Sequence, residues 1–313
     1  MILDLVFIAG GLVLLVAAGD ALVQGAVALS LKLGVSALIV SLTVVAFGTS
    51  APELLVSIKA TLDGATGLVF GNVVGSNIAN VFLVLGVPAL IAPIHVAQPG
   101  LKRNFVMMIA ASVLFIAVCG YGGLYFWIGV AFLCLLAAIL FDAYIMAEQG
   151  VAPVELEDAD EQASGLKVGL LIVAGLIGLP LGAHFLVEGA RSIALEFGVS
   201  EAAIGLTLVA IGTSLPELAT TVMAAIRRQA DVAVGNVVGS NLFNILAVAG
   251  GAALFGDLPT PAGFLELDLW IMLGAALAIA PFVALRRDIG RWSGVFFLAA
   301  YVCYIVIALG PRM

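Results

Sequence analysis

Two polar blocks occur twice in this chain, each time inside a long apolar run. Thr43–Leu54 reads TVVAFGTSAPEL and Thr207–Leu218 reads TLVAIGTSLPEL, while Gly71–Asn80 reads GNVVGSNIAN and Gly235–Asn244 reads GNVVGSNLFN. Both pairs are offset by 164 positions, so the spacing between blocks is the same in each half. The correspondence extends further at the same offset: Gln24-Gly25-Ala26 matches Glu188-Gly189-Ala190, and Gly34-Val35-Ser36 matches Gly198-Val199-Ser200. Each copy sets one glutamate, Glu53 or Glu217, in apolar surroundings. A duplicated membrane segment with one buried acid per copy is the pattern of an ion transporter built from two repeats.

Composition sets the solvent. Of 313 residues, 63% are hydrophobic and 10% charged, against about 25% charged in soluble domains. Such a chain cannot cover its surface with polar groups, and its recurrent uncharged runs are too long and continuous for β-barrel strands. Ten apolar segments are expected, roughly 3–28, 35–60, 67–91, 104–120, 123–145, 166–192, 199–226, 232–255, 268–285 and 293–310. The expected fold is an all-α membrane protein of ten transmembrane helices in two inverted five-helix repeats, 1–147 and 166–313. Residues 148–165 join them and hold six acids, Glu148, Glu155, Glu157, Asp158, Asp160 and Glu161. These lack the Asx/Gly spacing of a calcium loop and read as a solvated linker. The first segment has no basic flank and continues past any cleavage point, so it reads as a span rather than a removed signal. Cys119, Cys134 and Cys303 lie in apolar runs as small core residues. Twelve Lys and Arg spread over the chain give no surface for nucleic acid.

Basic residues orient the spans. With the N-terminus outside, Lys32, Lys102, Arg103, Lys167, Arg227, Arg228, Arg286, Arg287 and Arg291 fall on the cytoplasmic side, leaving Lys59, Arg191 and Arg312 outside. Both termini are then expected outside the cytoplasm, and the acidic linker within it. Five spans per repeat make the second half enter from the opposite side, which gives an inverted pair.

The candidate site follows from the polar residues. Pro52 and Pro216 have no N–H, so each releases the carbonyl four residues earlier, at Gly48 and Gly212. A break of this kind is tolerated in a membrane where it lines a polar cavity. Thr49, Ser50 and Glu53 are close enough in angle to face one cavity, as are Thr213, Ser214 and Glu217. Asn72, Ser76 and Asn80 share one helical face, repeated by Asn236, Ser240 and Asn244. Asn77 and Asn241 point partly sideways, where bridging helices and liganding are equally open. Gln24 and Glu188 are the odd polar positions of the two long segments, with helix bonding as open as ion contact. The donor set holds oxygen without thiolate or imidazole, which suits a hard cation such as Ca²⁺ or Na⁺. It contains no nucleophile–base set, so a transporter is expected rather than an enzyme, with no cofactor.

The paired GTSxPE and GNxxGSN blocks resemble the alpha repeats of the calcium/cation antiporter superfamily, and within it the prokaryotic sodium/calcium exchangers. The resemblance covers essentially the whole chain. It implies a central calcium site from the Glu53 and Glu217 carboxylates with backbone oxygens of Thr49 and Thr213. It implies flanking sodium sites from Ser50, Ser76, Ser214 and Ser240 with carbonyls of Ala46 and Ala210, and Asn80 and Asn244 lining the centre. It further implies exchange of three sodium ions for one calcium by alternating access, the first and sixth spans sliding against a rigid core, in a protein that functions as a monomer in lipid. Potassium-dependent members need an acid where this chain has Asn244. Proton/calcium members carry one where it has Gly75 and Gly239, so coupling to protons, or carriage of another divalent cation, is the alternative.

Overall fold

The computed structural model describes residues 1–98, 100–148, 164–197, 210–261 and 263–309. Two helices of equal length begin the two halves: α1 (Ile2–Leu33) and, after five intervening helices, α7 (Gly165–Glu196), 32 residues each. At ~1.5 Å per residue each is about 48 Å long, well beyond a ~30 Å hydrocarbon layer, so each tilts or protrudes. Between them lie α2 (Ala37–Thr49), α3 (Ala51–Leu62), α4 (Thr66–Ile91), α5 (Leu101–Gly120) and α6 (Phe126–Glu148). The second half continues with α8 (Ala210–Thr213), α9 (Leu215–Ile226), α10 (Ala230–Ala252), α11 (Phe264–Leu285) and α12 (Arg291–Leu309).

The repeat holds to the residue where it matters. α9 sits 164 positions after α3, and the regular part of α10 (Ala230–Phe243) sits 164 after that of α4 (Thr66–Ala79). Both regular stretches pass into a wider π-helical turn at the same asparagine, Asn80–Val84 and Asn244–Ala249. Wide turns of this kind concentrate at functional sites.

Among the described residues, eight helices are long and apolar enough to cross a membrane, and α2 with α3 forms a ninth span bent by 42°. α8 and α9 belong to the expected span 199–226, of which residues 199–209 lie outside the described ones. The fold is the expected all-α membrane architecture of two inverted repeats. Among the described residues β structure is confined to loops: β1 (Gly123–Leu124) pairs antiparallel with β2 (Leu258–Pro259), and Ile94 bridges Ile289.

These loop pairings agree with the inverted arrangement. β1 and β2 follow α5 and α10, whose ends a ten-span inverted chain puts on one face; Ile94 and Ile289 follow α4 and α11 on the other. Ion pairs also join same-face ends, as in Arg103 with Asp142 and the Met1 amine with Glu196 at 3.4 Å.

Burial sorts the helices into layers. The apolar window of α10 is 100% buried and that of α4 72%, against 17% for α12 and 22% for α1 and α6. α4 and α10 therefore form the centre and turn their polar blocks inward, while the lipid-facing helices expose Leu, Val and Phe outward.

α1 and α7 lie antiparallel along a seam of small residues. Asp4, Gly11, Ala18 and Gly25 recur every seventh position on α1, as do Gly175, Gly182 and Gly189 on α7. A Cβ on Gly175 would lie 2.5 Å from the Leu22 Cβ, and one on Gly182 2.9 Å from the Leu15 nitrogen. A Cβ on Gly189 would lie 2.6 Å from the Asp4 carbonyl oxygen. The backbones touch, which only glycine at these positions allows. A seven-residue period keeps one stripe facing the partner along the whole length. Gly182→Val should force the helices apart at a cost of about 1–3 kcal/mol. Thermal denaturation of the purified protein should show a lowered midpoint, whereas Gly169→Ala, with open space at its Cβ position, should not; equal midpoints for both would remove the seam from the account.

Candidate ion-binding site

The helix breaks fall where the sequence puts proline. Ser50 joins α2 to α3 with φ −87° and ψ 0°, and Ser214 joins α8 to α9 with φ −88° and ψ 0°. Pro52 and Pro216 each occupy the second position of the following helix, where their missing N–H costs nothing. Each glutamate is thereby held in the first turn of a half-helix, near the positive end of its dipole. Glu53 is 1% exposed and Glu217 0%. Glu217 is near enough for its charge to bear on the Glu53 carboxyl.

An asparagine braces each glutamate turn. Asn72 Nδ2 donates to the Glu53 carbonyl at 3.0 Å and to Ser57 Oγ at 2.9 Å. Asn236 Nδ2 donates to the Glu217 carbonyl at 3.3 Å and to Thr221 Oγ1 at 3.1 Å. Thr49 Oγ1 lies 3.4 Å from each of the Ala46 carbonyl, Asn236 Oδ1 and Ser240 Oγ. The Thr49 hydroxyl is thus part of the bracing rather than turned wholly to the cavity. Across the repeats, the Glu217 carboxylate comes close to the Thr49 and Ser50 hydroxyls without a full hydrogen bond.

Among the described residues, nine buried side-chain atoms have no hydrogen-bond partner: Ser50 Oγ, both Glu53 carboxylate oxygens, Asn80 Oδ1, Ser214 Oγ, both Glu217 carboxylate oxygens, and Asn244 Oδ1 and Nδ2. All nine belong to residues singled out from the sequence, drawn evenly from the two repeats. An unpaired buried polar atom costs about 1–3 kcal/mol, and more for a charged one. Concentrating this cost in one place prepares a cavity for a guest that supplies positive charge. Ser76 and Ser240 are buried, 3% and 0% exposed, on the same helix faces as Asn80 and Asn244. Ala46 is buried and its carbonyl already accepts from the Ser50 N–H at 3.0 Å. Thr213 lies in α8 beside the break, and Ala210 is the first residue of α8. No group of three or more His, Cys, Asp or Glu fit to hold a metal occurs among the described residues. Two carboxylates plus neutral oxygens suit an ion in transit better than a resident metal.

The alternatives left open for four polar residues are resolved by the contacts their side chains make. Asn241 bridges helices: its Oδ1 accepts from Asn80 Nδ2 at 3.0 Å and its Nδ2 reaches the Asn77 carbonyl at 3.5 Å. Asn77 turns to its own helix, donating to the Val73 carbonyl at 2.7 Å. Gln24 donates to Asp20 at 2.7 Å, and Glu188 lies 3.7 Å from Arg191. Sequence reasoning missed Asp20, whose carboxylate takes both Nε and, at 2.9 Å, an Nη of Arg227. The signal was present as an acid in an apolar run, but the partner lies 207 positions away. This pair, with Gly19 against the Ala219 carbonyl, lays α1 along α9. α7 makes no comparably extended contact with α3, so the pseudo-symmetry is broken there.

An inverted pair of broken helices around two buried carboxylates defines an ion carrier of the inverted-repeat kind. A family model described as sodium/calcium exchanger protein matches residues 3–144 and again 167–310, once per repeat. The sodium/calcium exchanger MaX1 of Methanosarcina acetivorans is 34% identical over 335 residues, covering 95% of this chain and 96% of that protein. The inner membrane protein YrbG of Escherichia coli is 34% identical over 320 residues, covering 98% and 97%. A solved structure of the sodium-calcium exchanger NCX_Mj superposes with a TM-score of 0.86 at 34% identity over 100% of both chains. The chain belongs to the sodium/calcium exchanger family.

Proposed function

We propose that this protein is a secondary active antiporter that exchanges sodium for calcium across the membrane by alternating access. The observation that carries the reading is the set of nine unpaired buried atoms, six of them on Glu53, Glu217, Ser50 and Ser214 at the two helix breaks. In this reading Ca²⁺ sits between the Glu53 and Glu217 carboxylates, completed by backbone oxygens of Thr49 and Thr213. Sodium ions take Ser50 and Ser214 with Ser76, Ser240 and the carbonyls of Ala46 and Ala210, while Asn80 and Asn244 line the centre. Two repeats, 1–147 and 166–313, are joined by the linker 148–165. α1 and α7, locked together by their glycine seam, move as one body against the rest. The present contact of α1 with α9 gives way to the pseudo-symmetric contact of α7 with α3, exposing the site to the other side.

The central test replaces the carboxylates. Glu53→Gln and Glu217→Gln keep shape but remove a charge from a low-dielectric site, which should cost several kcal/mol of calcium binding. Each should fold at least as well as the wild type, because an unpaired buried carboxylate is expensive. Calorimetry and radiolabelled calcium uptake should both fail in either variant; wild-type binding and flux in one of them would make that glutamate structural. Both repeats of the site lie in one chain, so vesicles reconstituted sparsely enough to hold single chains should still exchange, as a monomer would.

Charge decides the stoichiometry. Two ionised carboxylates are neutralised by one Ca²⁺ and exceeded by one charge with three Na⁺, so a three-to-one cycle moves net charge. Imposed membrane potential should then shift the exchange equilibrium, and potassium should take no stoichiometric part given Asn244. A voltage-independent equilibrium would point to electroneutral exchange.

The prokaryotic relatives support a prokaryotic inner-membrane protein, and the basic-residue bias supports both termini outside the cytoplasm. Single cysteines placed at Lys102 and Asp257 should label from opposite sides, the first from the cytoplasm. Labelling of both from one side would overturn that orientation.

A further inference from the structure

Two asparagines with the same place in the repeat, Asn80 and Asn244, sit differently in the cavity. Asn244 has neither amide atom paired, whereas Asn80 has only its Oδ1 unpaired. The difference comes from Asn241. Its Nδ2 faces two groups that only accept, the Asn77 carbonyl at 3.5 Å and Met108 Sδ at 3.6 Å. A carbonyl oxygen and a thioether have no proton to give, so the Asn241 amide is held with its nitrogen toward them. Its Oδ1 is left facing Asn80 and accepts from Asn80 Nδ2 at 3.0 Å. Asn80 therefore has its nitrogen turned away and its oxygen turned into the cavity. The equivalent device is missing for Asn244, because Asn77 spends its Nδ2 on the Val73 carbonyl of its own helix.

We propose that Asn241 is a positioning residue for cation binding, which fixes the polarity of the Asn80 amide so that an oxygen, and not an N–H, meets the ion. This rests on the exchanger reading above and adds to it a residue that touches no ion. A reversed Asn80 amide would point two partial positive hydrogens at the cation, so the orientation is worth a ligand gained against a repulsion avoided. Asn241, buried at 1% exposure among α4, α5 and α10, holds that orientation through a relay running from a backbone carbonyl to a side-chain oxygen. The two halves of the site are thereby unequal despite identical GNVVGSN blocks: one central amide is fixed, the other free to turn.

The polarity claim is separable from any structural role of Asn241, since a carboxylate at position 80 shows oxygen whichever way it rotates. Calcium binding by calorimetry in sodium-free buffer should be measured for the wild type, Asn241→Leu, Asn80→Asp and the double variant, using the full chain in detergent. Asn241→Leu should weaken Ca²⁺ about tenfold in the wild-type background and less than about twofold in the Asn80→Asp background, a coupling of the size seen between contacting residues. Asn241→Asp, which keeps the oxygen that Asn80 donates to, should retain calcium affinity and serves if the leucine variant does not fold. Equal losses in both backgrounds, no loss in the wild-type background, or an Asn241→Asp protein that binds calcium about tenfold more weakly than wild type would each overturn the inference. A wild-type protein that bound no calcium would instead overturn the exchanger reading and this inference with it.

Discussion

Two neighbouring carboxylates buried in the membrane, with no cationic partner among the described residues, are the constraint on which the rest of the structure depends. Burying one ionised carboxylate costs several kcal/mol even after relaxation, and a second one nearby adds repulsion. Among the described residues no lysine or arginine pairs with Glu53 or Glu217; Lys59 and Arg227 lie at the ends of their helices. The fold answers with softer charge. Broken helices aim their positive ends at the pair, and hydroxyls and amides surround it. A lysine in the cavity would stabilise the empty protein and abolish its affinity for cations, so the incomplete neutralisation is what leaves room for an ion.

Holding such a cavity open demands stiffness around it. Asn72 and Asn236 tie each glutamate turn to the neighbouring central helix, and Ser41 Oγ donates to the Val232 carbonyl at 2.8 Å to tie α2 to α10. Glycine brings those helices within reach: a Cβ on Gly239 would lie 2.7 Å from the Ala46 Cβ and 2.9 Å from the Leu42 carbonyl. The α1–α7 seam uses the same device away from the centre, where it binds two lipid-facing helices to each other.

The duplication preserves backbone more faithfully than side chains. Gly64 and Arg228 occupy the same place in the two repeats, and both take a left-handed conformation, with φ of 71° and 56°. An arginine there carries about 1–2 kcal/mol of strain that glycine avoids, yet the turn between the third and fourth helical segments is the same. Arg227 beside it reaches Asp20, whereas its counterpart Asp63 has no ion pair of that kind among the described residues. Equal backbones with unequal side chains give an inverted repeat two different ends, which is what a carrier needs to rest in one state and pass to another.

The sequence by itself determined the duplication, the membrane class, the inverted topology and the helix breaks. These depend on hydropathy, on an odd number of spans and on proline's missing N–H, all local or countable along the chain. It also picked out every described residue whose buried polar atoms lack a partner, because polar groups in an apolar run are visible one at a time. The tertiary structure decided what each of them does. Asn72 and Asn80 lie on one face of one helix, yet the first braces a glutamate turn and the second faces the cavity. The Thr49 hydroxyl is committed to Asn236 and Ser240 on the other repeat, and Asp20 finds Arg227. Helical spacing fixes the angle of a side chain about its own axis. Which group it meets depends on how closely two helices from opposite halves approach, and that distance is set by packing across the repeat.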